Sequence, residues 1–337
     1  MRRLVRGVVA AWLLVLALVQ VVGLVLVWWI FIRTPHGQVL DASVLRAAGI
    51  GRSQVADLVD TLLDAVSLAS LIAATIAIGF IAVTRRRYRL AVVATLLIVG
   101  ATATSRVLKN IVIDRPDLGI AGTNIGAPNS LPSGHMTVAA AVTVAAVLVV
   151  PPRLCSLTAV VGTIYTALTG IATLSAGWHR PSDALAALLV VGVWASAGGH
   201  FLVRAQRHEP VQEPARPHHH TVAILALVGG ALLAATVLTI GLVDHAELTP
   251  PVELSTPRLI GVYLAGVTGI AGATCLLSAM VLSTVHRVVP TLDQPTLIDT
   301  IIEALPADPT SQPATETRPT GRSINPAAAT PSDTIRK

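Results

Sequence analysis

Five side chains in this sequence have the types and spacing for chemistry: Lys109, Arg115, His135, His179 and Asp183. His179 and Asp183 are four residues apart, which places them on one face of a helix. A carboxylate that holds one imidazole nitrogen fixes the tautomer and leaves the other nitrogen free as nucleophile or base. His135 offers a second imidazole, suited to protonating a leaving oxygen. Lys109 and Arg115 are cationic donors for phosphate oxygens, the lysine as a point charge and the arginine as a planar fork. Pro132, Ser133, Gly134 and His135 stand where a helix is expected to begin. Free amides and the positive end of a helix dipole favour an anion there, and glycine lets the backbone approach a ligand closely. Together these groups describe phosphoryl transfer by positioning and charge stabilisation, with no metal or other cofactor required.

The elements that must carry these residues are membrane spans. Of 337 residues, 53% are hydrophobic and 12% charged, against about 25% charged in a soluble chain, and the mean hydropathy is +0.72. An ordinary cytosolic enzyme is thereby excluded. Eight stretches approach the roughly 20 apolar residues that a spanning helix needs: 8–32, 58–84, 90–113, 135–151, 154–174, 182–203, 221–243 and 259–284. The fold class expected is all-α, a polytopic helical bundle, because backbone polar groups in lipid must be satisfied within each segment. Arg2, Arg3 and Arg6 precede the first stretch as they would in a signal peptide, but the stretch is long enough to span and no small-residue cleavage site follows, so it reads as a retained span. In the last stretch Gly261, Ala265, Gly269 and Ala273 form a small-residue ridge suited to close helix packing.

The net charge of +6 would suggest nucleic acid in a soluble protein. Here the arginines flank apolar runs, where they set membrane orientation, and aromatic residues make up only 3% of the chain, too few for base-stacking platforms. With Arg2, Arg3, Arg6, Arg85 to Arg87, Arg89, Arg153, Arg204, Arg207 and Arg216 on the cytoplasmic side, both termini are cytoplasmic. The loops 114–134 and 175–181 then face outward, and the acidic loop of Asp244, Glu247 and Glu253 does so too. Cys155 and Cys275 support neither a disulfide framework nor a metal site. The run His218 to His220 lies in a proline-containing cytoplasmic loop with no nearby cysteine and is not read as a metal site. Beyond Arg287 the composition turns to Pro, Thr, Ala and Asp and reads as a disordered tail, in which Leu297, Ile298, Ile301, Ile302 and Leu305 keep the spacing of one short amphipathic helix.

At the chemical residues the sequence resembles the type 2 phosphatidic acid phosphatase family, membrane lipid phosphatases related to bacterial acid phosphatases and vanadium haloperoxidases. That family's pattern is a lysine followed by Arg-Pro, then Pro-Ser-Gly-His, then Ser-Arg followed by His and Asp. Lys109 with Arg115 and Pro116, the complete run Pro132 to His135, and His179 with Asp183 resemble it, over roughly residues 58–200. The resemblance implies six core helices, an outward-facing site and metal-independent dephosphorylation through a phosphohistidine on His179, with His135 as the acid. Two positions differ. Five residues separate Lys109 from Arg115 where the family has six, which a local shift of the helix end would absorb. The arginine expected six residues before His179 is Thr173, preceded by Ala172 where serine is usual.

Among the other arginines, Arg180 is disfavoured as a replacement because neighbours on a helix face different ways. Arg106, three residues before Lys109 on the same face, is the preferred one. It is expected to lie about 10 Å inside the outer end of its span, at the depth of Asp64 on the second span, and the two are expected to pair. The domains read as a six-span core over 1–205, a loop with two further spans over 206–285, and the tail 286–337. The function read from these residues is an integral membrane phosphatase of the bacterial inner membrane. Its substrate is a lipid phosphate or diphosphate: a polyprenyl diphosphate, a phosphatidic acid or a phosphatidylglycerol phosphate. The expected phosphate ligands are Lys109, Arg115, Ser133, Gly134 and Arg106, and the oligomeric state is open. A lipid phosphotransferase and a non-catalytic lipid-binding or assembly relative are the alternatives, the latter favoured by Thr173.

Overall fold

The computed structural model describes residues 2–50, 57, 59, 61, 76–80, 87–119, 129–206, 218–244 and 255–289. Eight α-helices are defined among them: α1 (Arg2–Arg33), α2 (Pro35–Ala48), α3 (Tyr88–Val107), α4 (Gly134–Val149), α5 (Pro152–Ser175), α6 (Pro181–Ala205), α7 (His219–Asp244) and α8 (Thr256–Val288). The described residues contain no strand, as backbone satisfaction in lipid requires. Six helices, α1, α3 and α5 to α8, are long and apolar enough to cross a membrane, and α4 is a shorter apolar helix. The chain is a polytopic helical bundle. Most of the expected span at 58–84, both Asp60 and Asp64, and the tail with its short helix lie outside the described residues, so the pairing of Asp64 with Arg106 does too.

Helix starts follow a repeated device. Proline stands in the first turn of α2, α5, α6 and α8, where its missing N–H costs nothing because that group would have no partner inside the helix. The start of α2 is reinforced by Thr34, whose hydroxyl accepts from the Gly37 amide.

Close contacts between helices use small residues. The ring of Trp194 lies over Gly100, and its Nε1 donates to Thr104 Oγ1 at 3.1 Å, tying α6 to α3. Gln20 of α1 lies against Gly192 of α6 and donates to Ser196 Oγ at 3.0 Å. The ridge of Gly261, Ala265 and Gly269 does meet another helix, α7. The Ala265 carbonyl accepts from Thr236 Oγ1, Gly261 lies beside Thr239 and Gly269 beside Thr236. The two backbones also come close where Gly229 meets Gly272.

α8 is also woven into the rest of the bundle. Tyr263 and Ser175 share a hydrogen bond of 2.8 Å. Gly266 lies where a Cβ would come within 2.6 Å of Val44, 3.1 Å of Pro181 and 3.3 Å of Leu174. α8 therefore packs against α2, the end of α5 and the start of α6 at one point. At the far end of the bundle Arg6 and Arg89 donate to the carbonyls of Gln206 and Ala205, and Gln206 donates to that of Val288.

Candidate active site

The expected residues converge where α3 ends and α4 and α6 begin. His179 Nδ1 and Asp183 Oδ2 are 3.2 Å apart, with His179 7% exposed and Asp183 fully buried. The same oxygen accepts from Ser130 Oγ at 2.6 Å and from the Arg180 amide at 2.9 Å. The carboxylate is thus held from three sides and holds the imidazole through Nδ1, which leaves Nε2 open for chemistry. His135 lies with its ring centroid 6.4 Å from that of His179 and 5.6 Å from that of Trp178. Lys109 is near enough for its charge to act on His135.

His179 and Arg180 lie in a short connection, not within a helix. α5 closes through Gly177, whose φ of 75° is open to glycine and strained for other residues. That turn brings the amides of both Trp178 and His179 onto the Thr173 carbonyl, at 3.0 and 3.2 Å. Arg180 is extended, with φ −82° and ψ 160°, immediately before Pro181 opens α6. The helical rule that turned neighbouring side chains apart therefore does not apply to these two, and both are buried.

At the start of α4, Ser133 is the capping residue, its hydroxyl accepting from the Met136 amide at 3.4 Å. Its own amide donates to the Asp183 carbonyl at 3.0 Å, joining α4 to α6. The amides of Gly134 and His135 belong to the first turn, where a helix has no internal partner for them. A Cβ at Gly134 would meet nothing within 4 Å, so this end of the helix opens onto free space.

Lys109 lies on a π-helical turn, Leu108–Val112, that follows α3, closed by the Ile113 amide on the Leu108 carbonyl at 2.8 Å. A π turn widens the helix by one residue and recurs at functional sites. The short spacing between Lys109 and Arg115 is spanned by this turn and the extended residues after it. The side-chain amide of Asn129 is shared among the carbonyls of Lys109, Ile113 and Leu131 and fixes the end of α3 to the approach of α4.

Asp41 of α2 enters this site without having been expected there. It is 1% exposed and accepts from Ser182 Oγ at 2.6 Å and the Ser182 amide at 3.3 Å, with Arg115 Nη1 at 3.9 Å. Burial, and then the neighbouring Asp183 charge, push its carboxyl from the usual 3.8 up to about 7. Gln38, one turn earlier, donates to the Pro116 and Ile32 carbonyls. The sequence signals for α2 were Thr34 followed by Pro35 at its start and Gly49 at its end, too short and polar to register among spans.

Arg106 does not join the group. It is exposed on α3 and makes no hydrogen bond or ion pair with any described residue, whereas Ser105 beside it is buried against Thr137. Arg180 is the arginine that does: its Nη1 donates to Ser130 Oγ at 3.1 Å. Burial, then the Arg180 charge, push the Arg115 guanidinium down, while Asp41 and Asp183 oppose this. Arginine does not release its proton in proteins, so Arg115 and Arg180 stand as two neighbouring cations at this site.

Residues 88–207 match the family model of the PAP2 superfamily. No curated protein matches the chain, and no solved structure does either.

Proposed function

We propose, from the match of residues 88–207 to the PAP2 superfamily model, that the chain is an integral membrane phosphatase that hydrolyses a lipid phosphate or diphosphate through a phosphohistidine on His179. The candidate lipids are a polyprenyl diphosphate, a phosphatidic acid and a phosphatidylglycerol phosphate. The observation that carries this reading is the His179–Asp183 pair at 3.2 Å with His135 beside it. In the first step His179 Nε2 attacks phosphorus, the bond from phosphorus to the lipid oxygen breaks, and His135 gives that oxygen its proton. In the second, water attacks the phosphohistidine, His135 takes its proton and phosphate leaves. Asp183 steadies the imidazolium in both. Lys109, Arg115 and the amides of Gly134 and His135 hold the phosphoryl oxygens, and Ser133 caps the helix that presents those amides.

The division into a six-span core over 1–205 and two further spans is retained in this reading, as are cytoplasmic termini and an outward-facing site in a bacterial inner membrane. The position of Arg6 and Arg89 at the end away from the site supports that orientation.

The test is phosphate release by the purified chain against a panel of those lipids with a chelator present. Release that survives the chelator and is lost in His179→Ala is expected. Release unchanged in His179→Ala contradicts the mechanism. A non-catalytic binder, the reading that Thr173 favours, predicts lipid binding with no release from any panel member.

A further inference from the structure

The position where the superfamily resemblance calls for a second arginine holds Thr173, fully buried and turned back on its own helix with Oγ1 donating to the Gly170 carbonyl at 2.9 Å. No cation enters the site from there. The Thr173 carbonyl instead accepts from the amides of Trp178 and His179, so the connection that follows is folded back onto the same residue. Arg180 is the next residue along that connection.

Its side chain has an environment that a purely structural arginine would not leave incomplete. Arg180 is 2% exposed, and its Nε is buried with no hydrogen-bond partner among the described residues. Arg115 Nη2, also buried, has none among the described residues either. Two guanidiniums close enough to act on one another each keep an open donor. Leaving one buried donor open is unfavourable, and more so when it is charged. Asp183 offsets part of this charge, and Asp41 stands 3.9 Å from Arg115 Nη1, but neither fills those donors. Arg180 Nη1 is steadied by Ser130 Oγ, which in turn donates to Asp183 Oδ2. The guanidinium is thus anchored to the same carboxylate that anchors the nucleophile, and its backbone amide reaches that carboxylate as well.

We propose that Arg180 binds the phosphoryl group that His179 attacks, its fork and that of Arg115 closing on the non-bridging oxygens that travel with phosphorus, and so supplies the cation that position 173 lacks. This rests on the phosphatase reading above. It assigns the missing charge to a residue that reaches the site from the nucleophile's own connection, one place beyond it in the chain.

The test uses the full-length chain in detergent, with inorganic phosphate as the probe. Affinity is read from calorimetry and from the rise in melting temperature that phosphate produces. Arg180→Gln is expected to weaken phosphate binding at least tenfold, and Arg180→Lys, which keeps the charge and can still reach Ser130, to recover only part of it because the fork is lost. Arg106→Gln is expected to bind as the wild type does. Should Arg180→Gln fail to fold, Arg180→Lys carries the test, with an expected loss of about threefold or more. Lys109→Gln separates the two levels of the argument. If Lys109→Gln weakens binding while Arg180→Gln and Arg180→Lys bind like wild type, Arg180 is a structural residue and the inference fails. If wild type and Lys109→Gln bind alike, or wild type does not bind phosphate, the phosphatase reading falls and takes the inference with it.

Discussion

Replacing Asp183 by asparagine isolates the charge behind the proposed nucleophile. In the wild-type site Oδ2 accepts three hydrogen bonds, from His179 Nδ1, Ser130 Oγ and the Arg180 amide, while Oδ1 is buried with no partner among the described residues. An asparagine can turn its carbonyl oxygen toward those three donors and leave its NH2 in the place of Oδ1, so the local fold survives. What disappears is the negative charge next to an imidazole that becomes positive in the transition state. A charge-assisted hydrogen bond exceeds a neutral one by about 1 to 2 kcal/mol, and at an effective dielectric constant of about 20 the lost attraction at 3.2 Å is about 5 kcal/mol before any relaxation. The net loss falls between, at about 3 to 5 kcal/mol, or a fall in kcat/KM of roughly 10² to 10⁴. The comparable exchange in the serine protease triad lies at the upper end of that range. Steady-state phosphate release from a panel lipid, with melting temperature followed in parallel, is the assay. A loss confined to kcat at near-constant KM is expected, since Asp183 does not touch the substrate. A fall of less than threefold in a variant that melts like wild type would refute the reasoning.

Two further outcomes follow from the surroundings of the site. Asp41, with its carboxyl near 7, keeps its proton in the folded chain between about pH 4 and 7 while the unfolded chain has released it. Its contribution to stability therefore falls as pH rises through that window, by at most about 4 kcal/mol for the gap from 3.8 to about 7. Melting curves at pH 5 and 8 should show a smaller decline in Asp41→Asn than in wild type, and equal declines would contradict this. Gly266→Leu forces a side chain against Val44, Pro181 and Leu174 and should cost about 1 to 3 kcal/mol by overpacking, with loss of phosphate release because Pro181 directly follows His179 and Arg180. Gly261→Ala, whose Cβ would meet Thr239 at an ordinary 3.8 Å, should leave both nearly unchanged.

Much of the bundle was legible because a membrane span is a long, local pattern. Seven of the eight expected stretches coincide with helices among the described residues, and the eighth, 58–84, lies mostly outside them. The chemical groups were legible for a related reason: proline, serine, glycine and histidine in an unbroken run mark a helix start, while histidine and aspartate four apart do meet, not on one helix face but across the start of α6, with His179 in the connection before it. What escaped was tertiary. Asp41 lies far from the motifs in sequence and reaches them only because α2 folds back under the start of α6. Arg180 was set aside by applying helical geometry to a residue that lies in an extended connection. Arg106 was favoured by α-helical spacing to Lys109, but Lys109 lies on the π turn after α3, and Arg106 itself is on an exposed face of α3. The packing of α8 against the site, through Tyr263 and Gly266, had only small residues to announce it, and those also fit a membrane helix with no special neighbour.

The central claim is a covalent phosphate on one named nitrogen-bearing side chain. Rapid quenching of the purified chain during turnover of a radiolabelled lipid phosphate, followed by peptide mass spectrometry, tests it directly. The account predicts an acid-labile, base-stable phosphate on the peptide containing His179, absent from His179→Ala and accumulating when His135 is replaced by alanine with a lipid whose leaving group needs no protonation. Turnover with no phosphoenzyme at His179, or label on His135 instead, would contradict it.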